Sequence, residues 1–274
     1  MATHAGTKQT IARQLGIARS SLYYRSRQAA SDEADKASIE TVMAKHPAYG
    51  HRRVALDLGV NHKKTQRLMS KFQLRPKISR RWSPDKPDDR KRPETQVVNI
   101  LKVLCPIRPN VIWVGDFTYF WYQGRFWYLA TVLDLYTREV IGWHLANHHT
   151  SALITRAFQD ALRRTKTAPQ YFHSDQGSEY VSGRYAIVLA ARGTKRSHAR
   201  KSSPWQNGHQ ESFYSNFKLE LGDLRRFPEL GQLIEAIGQQ ISYYNTRRIH
   251  LSLKMPPLRF RQTHYKQQPA YASL

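Results

Sequence analysis

Hydrophobic positions along this chain change period part-way. Over residues 8–75 they recur every three to four residues, the spacing of amphipathic helices. Thr10-Ile-Ala-Arg-Gln-Leu-Gly16-Ile17, followed by Ala18-Arg-Ser-Ser-Leu-Tyr-Tyr-Arg25, predicts two short helices about a glycine, a helix-turn-helix rhythm. Ala18 stands where a Ser or Thr cap is expected, and the same pattern fits a helical hairpin that only packs on the core. Residues 31–45 predict a helix with Ile39, Val42 and Met43 inward, too short for a coiled coil. A second pair is clearer: Arg52–Leu58, a turn at Gly59-Val60, Asn61 as cap, then His62–Phe72 with Thr65, Leu68, Met69 and Phe72 on one face.

Residues 76–96 carry Pro76, Pro84, Pro87 and Pro93 among charges and have no apolar period, which predicts a basic linker that is flexible or ordered only on DNA. Beyond it the pattern becomes that of strands. The runs 111–120, 125–133 and 139–145 predict strands separated by turns at Gly124 and 134–138. A helix at 150–165, a strand at 170–174, a helix at 184–191 and a short strand at 194–197 follow. Ser203 as cap, Pro204 at the first helical position, and Phe213, Phe217 and Leu221 four apart predict a helix over 204–221. A long helix from near Pro228 closes at Tyr243–His250. Three strands followed by alternating helix and strand give an α/β class preceded by small all-α segments. The chain divides into 1–30, 31–75, a linker 76–105, a core 106–227, and a C-terminal helix and tail 228–274.

Charge narrows the partner. The net charge is +24, spread over both halves, which implies a polyanion and most simply nucleic acid. Arg19, Arg25, Lys63, Lys64 and Arg67 on the two helical pairs are candidate phosphate contacts, with Lys71 beside them. Cys105 is the only cysteine, which excludes an intramolecular disulfide or a cysteine-rich zinc site. The first residues show no signal-peptide pattern, and the longest apolar run, Phe126–Leu133, is too short to span a bilayer. No membrane partner is expected, and the cytoplasm is the expected location.

Three carboxylates stand out. Asp116 is the only charge in the run Asn110–Phe120, and a charge there is expensive to bury unless it is paired or binds a metal. Taken alone, the pattern leaves open a strand that ends at Gly115 with Asp116 in solvent. Asp175 should sit at the tip of strand 170–174, because Gln176-Gly177 is turn chemistry. Glu211 lies roughly 200° round the helical wheel from Phe213, so it points away from the apolar seam. Ser215 and Lys218 share its outward face, which suits a phosphate contact by Lys218 or, alternatively, a solvated charged face. Asp134 reads as a turn cap, Glu179 as solvated, and His173 as a structural hydrogen-bonding residue rather than a zinc ligand.

Trp113-x-x-Asp116-Phe-Thr118-Tyr119, His173-Ser-Asp175-x-Gly-Ser-x-Tyr180, Glu211 with 35 residues between it and Asp175, and Tyr244-Asn245-x-x-Arg248-x-His250 resemble the DDE transposases of the OrfAB insertion sequences, in their OrfB-type chain. The helical segment 46–69 resembles the helix-turn-helix that precedes that family's core. Gln206-Asn207-Gly208 departs from the Asp-Asn-Ala of many relatives. The resemblance implies a ribonuclease-H-like, retroviral-integrase-like core that cleaves and joins element ends by phosphoryl transfer. It implies Mg2+, with Mn2+ substituting, Asp116 bridging two ions and Asp175 and Glu211 each holding one. It also implies double-stranded DNA, both element ends and target, as partner, a homo-oligomer on DNA in association with the bacterial nucleoid, and an upstream-frame protein or its fusion. Arg248 is a candidate DNA contact or, equally, a helix-end packing residue. A DNA-binding regulator with an inactive core and a nuclease on the same fold are the competing readings.

Overall fold

The computed structural model describes residues 8–23, 28–78, 97–199 and 208–267. The β-branched and aromatic run from Ile112 forms the longest strand of a five-stranded sheet, β1 (Ile112–Tyr122). It does not stop at Gly115. A two-residue turn at Gln123-Gly124 leads into antiparallel β2 (Arg125–Asp134), and β3 (Val140–Ala146) adds antiparallel to β2. β4 (Tyr171–Ser174) and β5 (Lys195–His198) join in parallel on the other side of β1, giving the order β3-β2-β1-β4-β5.

Helices cover both faces, so strand alternation sorts apolar side chains into two cores. On one face α5 (Ser151–Thr165), α6 (Ser178–Val181) and α7 (Gly183–Ala190) bury Trp113, Ala130, Val132, Ile141, Phe158 and Phe172. Gly142 lets α5 lie directly on β3: a Cβ there would stand 2.5 Å from the Ala157 carbonyl oxygen. On the other face α8 (Gly208–Leu221) and α9 (Leu230–Thr246) bury Phe120, Leu129, Leu133, Phe213, Phe217 and Ile237.

The first helical pair differs from expectation. Only α1 (Lys8–Gln14) is α-helical, and a single 3-10 turn, Arg19–Tyr23, stands where the second helix was expected. The second pair matches closely, as α3 (His51–Leu58) and α4 (His62–Lys71), with Gly59 left-handed and Asn61 accepting from the Lys63 amide. Together with α2 (Gln28–Lys45) it docks on the end of α9. Tyr49, fully buried, accepts from the Ile249 amide at 2.6 Å, and His46 Nδ1 meets the Tyr243 hydroxyl at 2.7 Å. The linker expectation fails at its end: Ile100, Leu101 and Leu104 pack against Val111, Ile112 and Val114, and the Ile100 amide donates to Ser197 Oγ. Residues 79–96, and the helix start expected at 203–207, lie outside the described residues. The tail holds a further helix, α10 (Pro257–Gln267), whose His264 meets the Tyr136 hydroxyl at 3.0 Å.

Candidate active site

The parallel register of β1 and β4 brings the first two carboxylates together. Its last pair is Val114 with His173, and Asp116 and Asp175 each follow two residues later, on the same side of adjacent strands. Beneath them lies the buried phenol of Tyr180. Its pKa is pushed far up, first by burial and then by the nearby charges of Asp116 and Asp175. Gly115 permits this packing, since a Cβ there would lie 2.4 Å from the Phe172 ring and 3.3 Å from Tyr180.

Backbone donors orient both aspartates. The Phe117 amide donates to Asp116 Oδ1 at 2.8 Å, and the Gly177 amide to Asp175 Oδ1 at 3.0 Å. The Asp175 carbonyl accepts from Ser174 Oγ and from His198 Nδ1, at 3.0 and 3.1 Å. His173, fully buried, bonds Ser197 Oγ at 2.8 Å, and burial, reinforced by His198, lowers its pKa to about 4. Its role is the structural one expected. Asp134 is likewise the expected cap, accepting from the amides of Asn110, Tyr136 and Thr137.

Glu179 is not solvated. The short helix α6 rolls it inward, where its carboxylate is 2.6 Å from His149 Nδ1. Its other oxygen faces Gly177, at which a Cβ would stand 3.1 Å from both Glu179 Oε2 and Asp175 Oδ1. A fourth carboxylate therefore stands behind Asp175.

The third carboxylate comes in on α8, fixed by one stripe of side chains four residues apart. Gln210, fully buried, donates to the Val114 carbonyl at 2.8 Å and accepts from Thr131 Oγ1 at 3.2 Å. The Tyr214 hydroxyl donates to the Asp116 carbonyl at 2.7 Å and meets Thr131 Oγ1 at 2.8 Å. Lys218 Nζ donates to the Tyr119 carbonyl at 2.9 Å. Thr131 is itself the cross-strand partner of Asp116. Glu211, exposed and next to Gln210, lies on the stretch of α8 that these bonds tie to Val114 and Asp116 of β1. Gln210, Tyr214 and Thr131 were missed by sequence reasoning, although the four-residue spacing and the lone polar position in an apolar strand were visible. The His149 contact with Glu179 had no local signal.

Several expected DNA contacts are otherwise engaged. Ser215 is exposed as anticipated, but Lys218 is turned onto β1, with its ammonium 5.1 and 5.3 Å from the Tyr119 and Phe120 ring centres and its pKa lowered by burial. Arg248 is 3% exposed and pairs with Glu220 at 2.7 Å and Asn216 at 2.8 Å on α8, the arrangement of the helix-end packing alternative. Asn245 bonds both the amide and the carbonyl of Val140, so this motif fastens α9 to β3 and to α8. On α4, Lys64 pairs with Asp35 at 2.7 Å, while Arg67 and Lys71 pair with buried Asp32 at 2.6 and 2.8 Å. These cations hold α2 against α4; Arg67 and then Lys71 keep the Asp32 carboxyl well below its usual range. Lys63 and Arg19 remain exposed, and Arg25 lies outside the described residues.

The carboxylates of Asp116, Asp175 and Glu211 are hard oxygen donors, a chemistry that suits Mg2+ or Mn2+ and not a soft metal. Among the described residues no three His, Cys, Asp or Glu side chains already close on one metal position.

Family models described as "Integrase core domain" match residues 106–204 and 192–257. The chain is 33% identical over 225 residues to the InsK protein of insertion sequence element IS150 from Escherichia coli (strain K12), covering 79% of this chain and 78% of that one. It is 30% identical over 246 residues to a 31 kDa protein of insertion element IS600 from Shigella sonnei, covering 86% and 90%. Over 147 residues it is 35% identical to the transposase of insertion sequence element IS904 from Lactococcus lactis, covering 53% and 58%. A chain of the simian T-cell lymphotropic virus intasome shares the fold, with a TM-score of 0.52 at 16% identity over 82% of this chain and 74% of that one.

A ribonuclease-H-like sheet flanked by helices, together with these matches, defines the class as integrase-core polynucleotidyl transferases. The chain belongs to the OrfB-type DDE transposases of the IS3-type insertion sequences.

Proposed function

We propose that this chain cleaves and joins the ends of its own insertion sequence at a site formed by Asp116, Asp175 and Glu211, with Mg2+ as the metal and Mn2+ as a substitute. The observation that supports this reading best is that Asp116 on β1 and Asp175 just past the end of β4 each follow two residues after the paired Val114 and His173, with α8 stapled across β1 at Val114 and Asp116. Asp116, Asp175 and Glu211 would hold the divalent metal through their carboxylates. Bound there, divalent ions supply an activated nucleophilic oxygen and a stabilised leaving oxygen at neutral pH. The protein's own part is position and charge: backbone amides aim Asp116 and Asp175, and the Gln210 and Tyr214 contacts hold Glu211 in place.

Residues 8–75 would bind the element ends, with Lys63 and Arg19 as exposed cations. Joining two ends requires a homo-oligomer on DNA, and an upstream-frame protein or its fusion supplies further end binding. The site of action is the cytoplasm, on the nucleoid; no described helix is long and apolar enough to cross a membrane.

Labelled element ends with Mg2+ test the reading. Asp116→Asn, Asp175→Asn and Glu211→Gln should each abolish cleavage and joining while retaining DNA in a gel shift. Near-normal joining by any one of them would remove that residue from the site; cutting without joining by the wild-type chain would make it a nuclease, and retention alone a regulator. Light scattering of the paired-end complex should give at least two chains, and a single chain would refute the oligomer. A chain lacking residues 8–75 should show a flatter salt dependence of binding, and an unchanged slope would move end binding to the core.

A further inference from the structure

Among the described residues, the face of the sheet carrying α5 is covered only in part. Helices bury it as far as Phe117 and Tyr128, and beyond them, toward the turn at Gln123-Gly124, three large rings stand in solvent. Tyr119 is 53%, Trp121 60% and Phe126 45% exposed. All three share one face, since Trp121 is directly opposite Phe126 and Tyr119 lies two residues before Trp121. The rings form a continuous edge-to-face group, with Trp121–Phe126 centroids 4.8 Å apart and Tyr119–Phe126 centroids 5.5 Å apart. The row continues inward to Phe117, the residue after Asp116, on which the His149 ring is stacked.

The two strands that carry these rings bring positive charge and no negative charge to this end of the sheet. No carboxylate occurs from Phe117 to Leu133, and Arg125 is exposed at the tip; Lys218, bonded to the Tyr119 carbonyl and 5.1 Å from the Tyr119 ring centre, adds to the positive field without offering a phosphate contact of its own. A second copy of the chain would bring its own charge of +24 to this surface, whereas a nucleic-acid strand brings the opposite sign. Exposed aromatic rings flanked by cations take unpaired bases, because every base has a face to stack and phosphates follow the cations. Bases inside a duplex present only their edges and cannot stack there.

We propose that Tyr119, Trp121 and Phe126 form a stacking platform for unpaired bases of a DNA strand leaving the active site. The platform rests on the function proposed above, but it concerns a different surface from the three carboxylates.

The test uses the full chain and two labelled DNAs, a paired duplex and the same duplex with a single-stranded tail, followed by fluorescence anisotropy. The double variant Tyr119→Ala/Trp121→Ala should bind tailed DNA about tenfold or more weakly, with duplex affinity unchanged. Trp121→Phe, which keeps a ring, should bind tailed DNA like the wild type. A 2-aminopurine in the tail should be quenched by the wild-type chain and not by the double variant. Equal loss on both DNAs, or no loss on the tailed one, would overturn the platform. So would a change in solution mass by light scattering with DNA binding unchanged, which would give the surface to a second copy. Failure of the wild-type chain to retain either DNA would sink the functional reading and the platform together, whereas tail-specific results bear on the platform alone.

Discussion

Glu139, at the start of the turn side of β3, shows how burial outweighs a neighbouring charge. Arg261 stands 3.2 Å from its carboxylate, yet burial, which outweighs that contact, pushes the pKa from 4.5 up to about 7. The folded protein therefore keeps a proton that the unfolded chain releases, so stability falls as pH rises from 4.5 to about 7 and levels off above. The loss is on the order of 3 kcal/mol, from about 1.4 kcal/mol for each pH unit of displacement. Glu139→Gln should remove that fall and leave the protein more stable than wild type at pH 8, as read from urea unfolding at pH 5 and pH 8. The same fall in the variant would show that other groups carry it.

At the scale of elements, catalysis depends on how α8 lies on β1. Tyr214→Phe deletes a single hydroxyl and leaves the Asp116 carbonyl and Thr131 Oγ1 without that partner, a loss of about 1–3 kcal/mol for buried polar groups. The expected result is slower joining with a higher Mg2+ concentration at half-maximal rate, in a protein that still folds by circular dichroism. An unchanged Mg2+ dependence would mean that the hydroxyl does not position Glu211. Most elements of the core were legible in sequence because strand and helix periods are local properties: β1 to β3, α5 and the α3–α4 turn fall within a few residues of their expected bounds. What was not legible depends on which surfaces meet. Lys218 lies on Glu211's side of an isolated helical wheel, but the neighbouring strand offers it a carbonyl and two rings. Glu179 looks solvated until His149, thirty residues earlier in the chain, is folded against it. The tail helix α10 has a weak apolar pattern, and its place is set by Tyr136 and Glu139 on the core.

At the scale of the molecule, the N-terminal helices, the end of α9 and the catalytic helix are joined through a few buried groups. Tyr49 holds Ile249, and the adjacent Arg248 holds Glu220 and Asn216 on α8. Arg248→Ala leaves Glu220 partly buried without its cation, a loss of about 3–5 kcal/mol for a broken buried pair. Unfolding by urea should register it, while the salt dependence of DNA binding at temperatures where the variant is folded should not change. A salt slope reduced by about one would instead make Arg248 a phosphate contact.

The central claim is that Asp116, Asp175 and Glu211 hold divalent metal at one place, and protein cleavage by bound iron tests it without relying on activity. Fe2+ replaces Mg2+, and ascorbate with peroxide then releases hydroxyl radicals that cut the chain beside the ion. Cuts are predicted close to 116, 175 and 211 in the wild-type chain, suppressed by excess Mg2+ and absent from Asp116→Asn. Cuts confined elsewhere, or a pattern that Asp116→Asn leaves intact, would contradict the account.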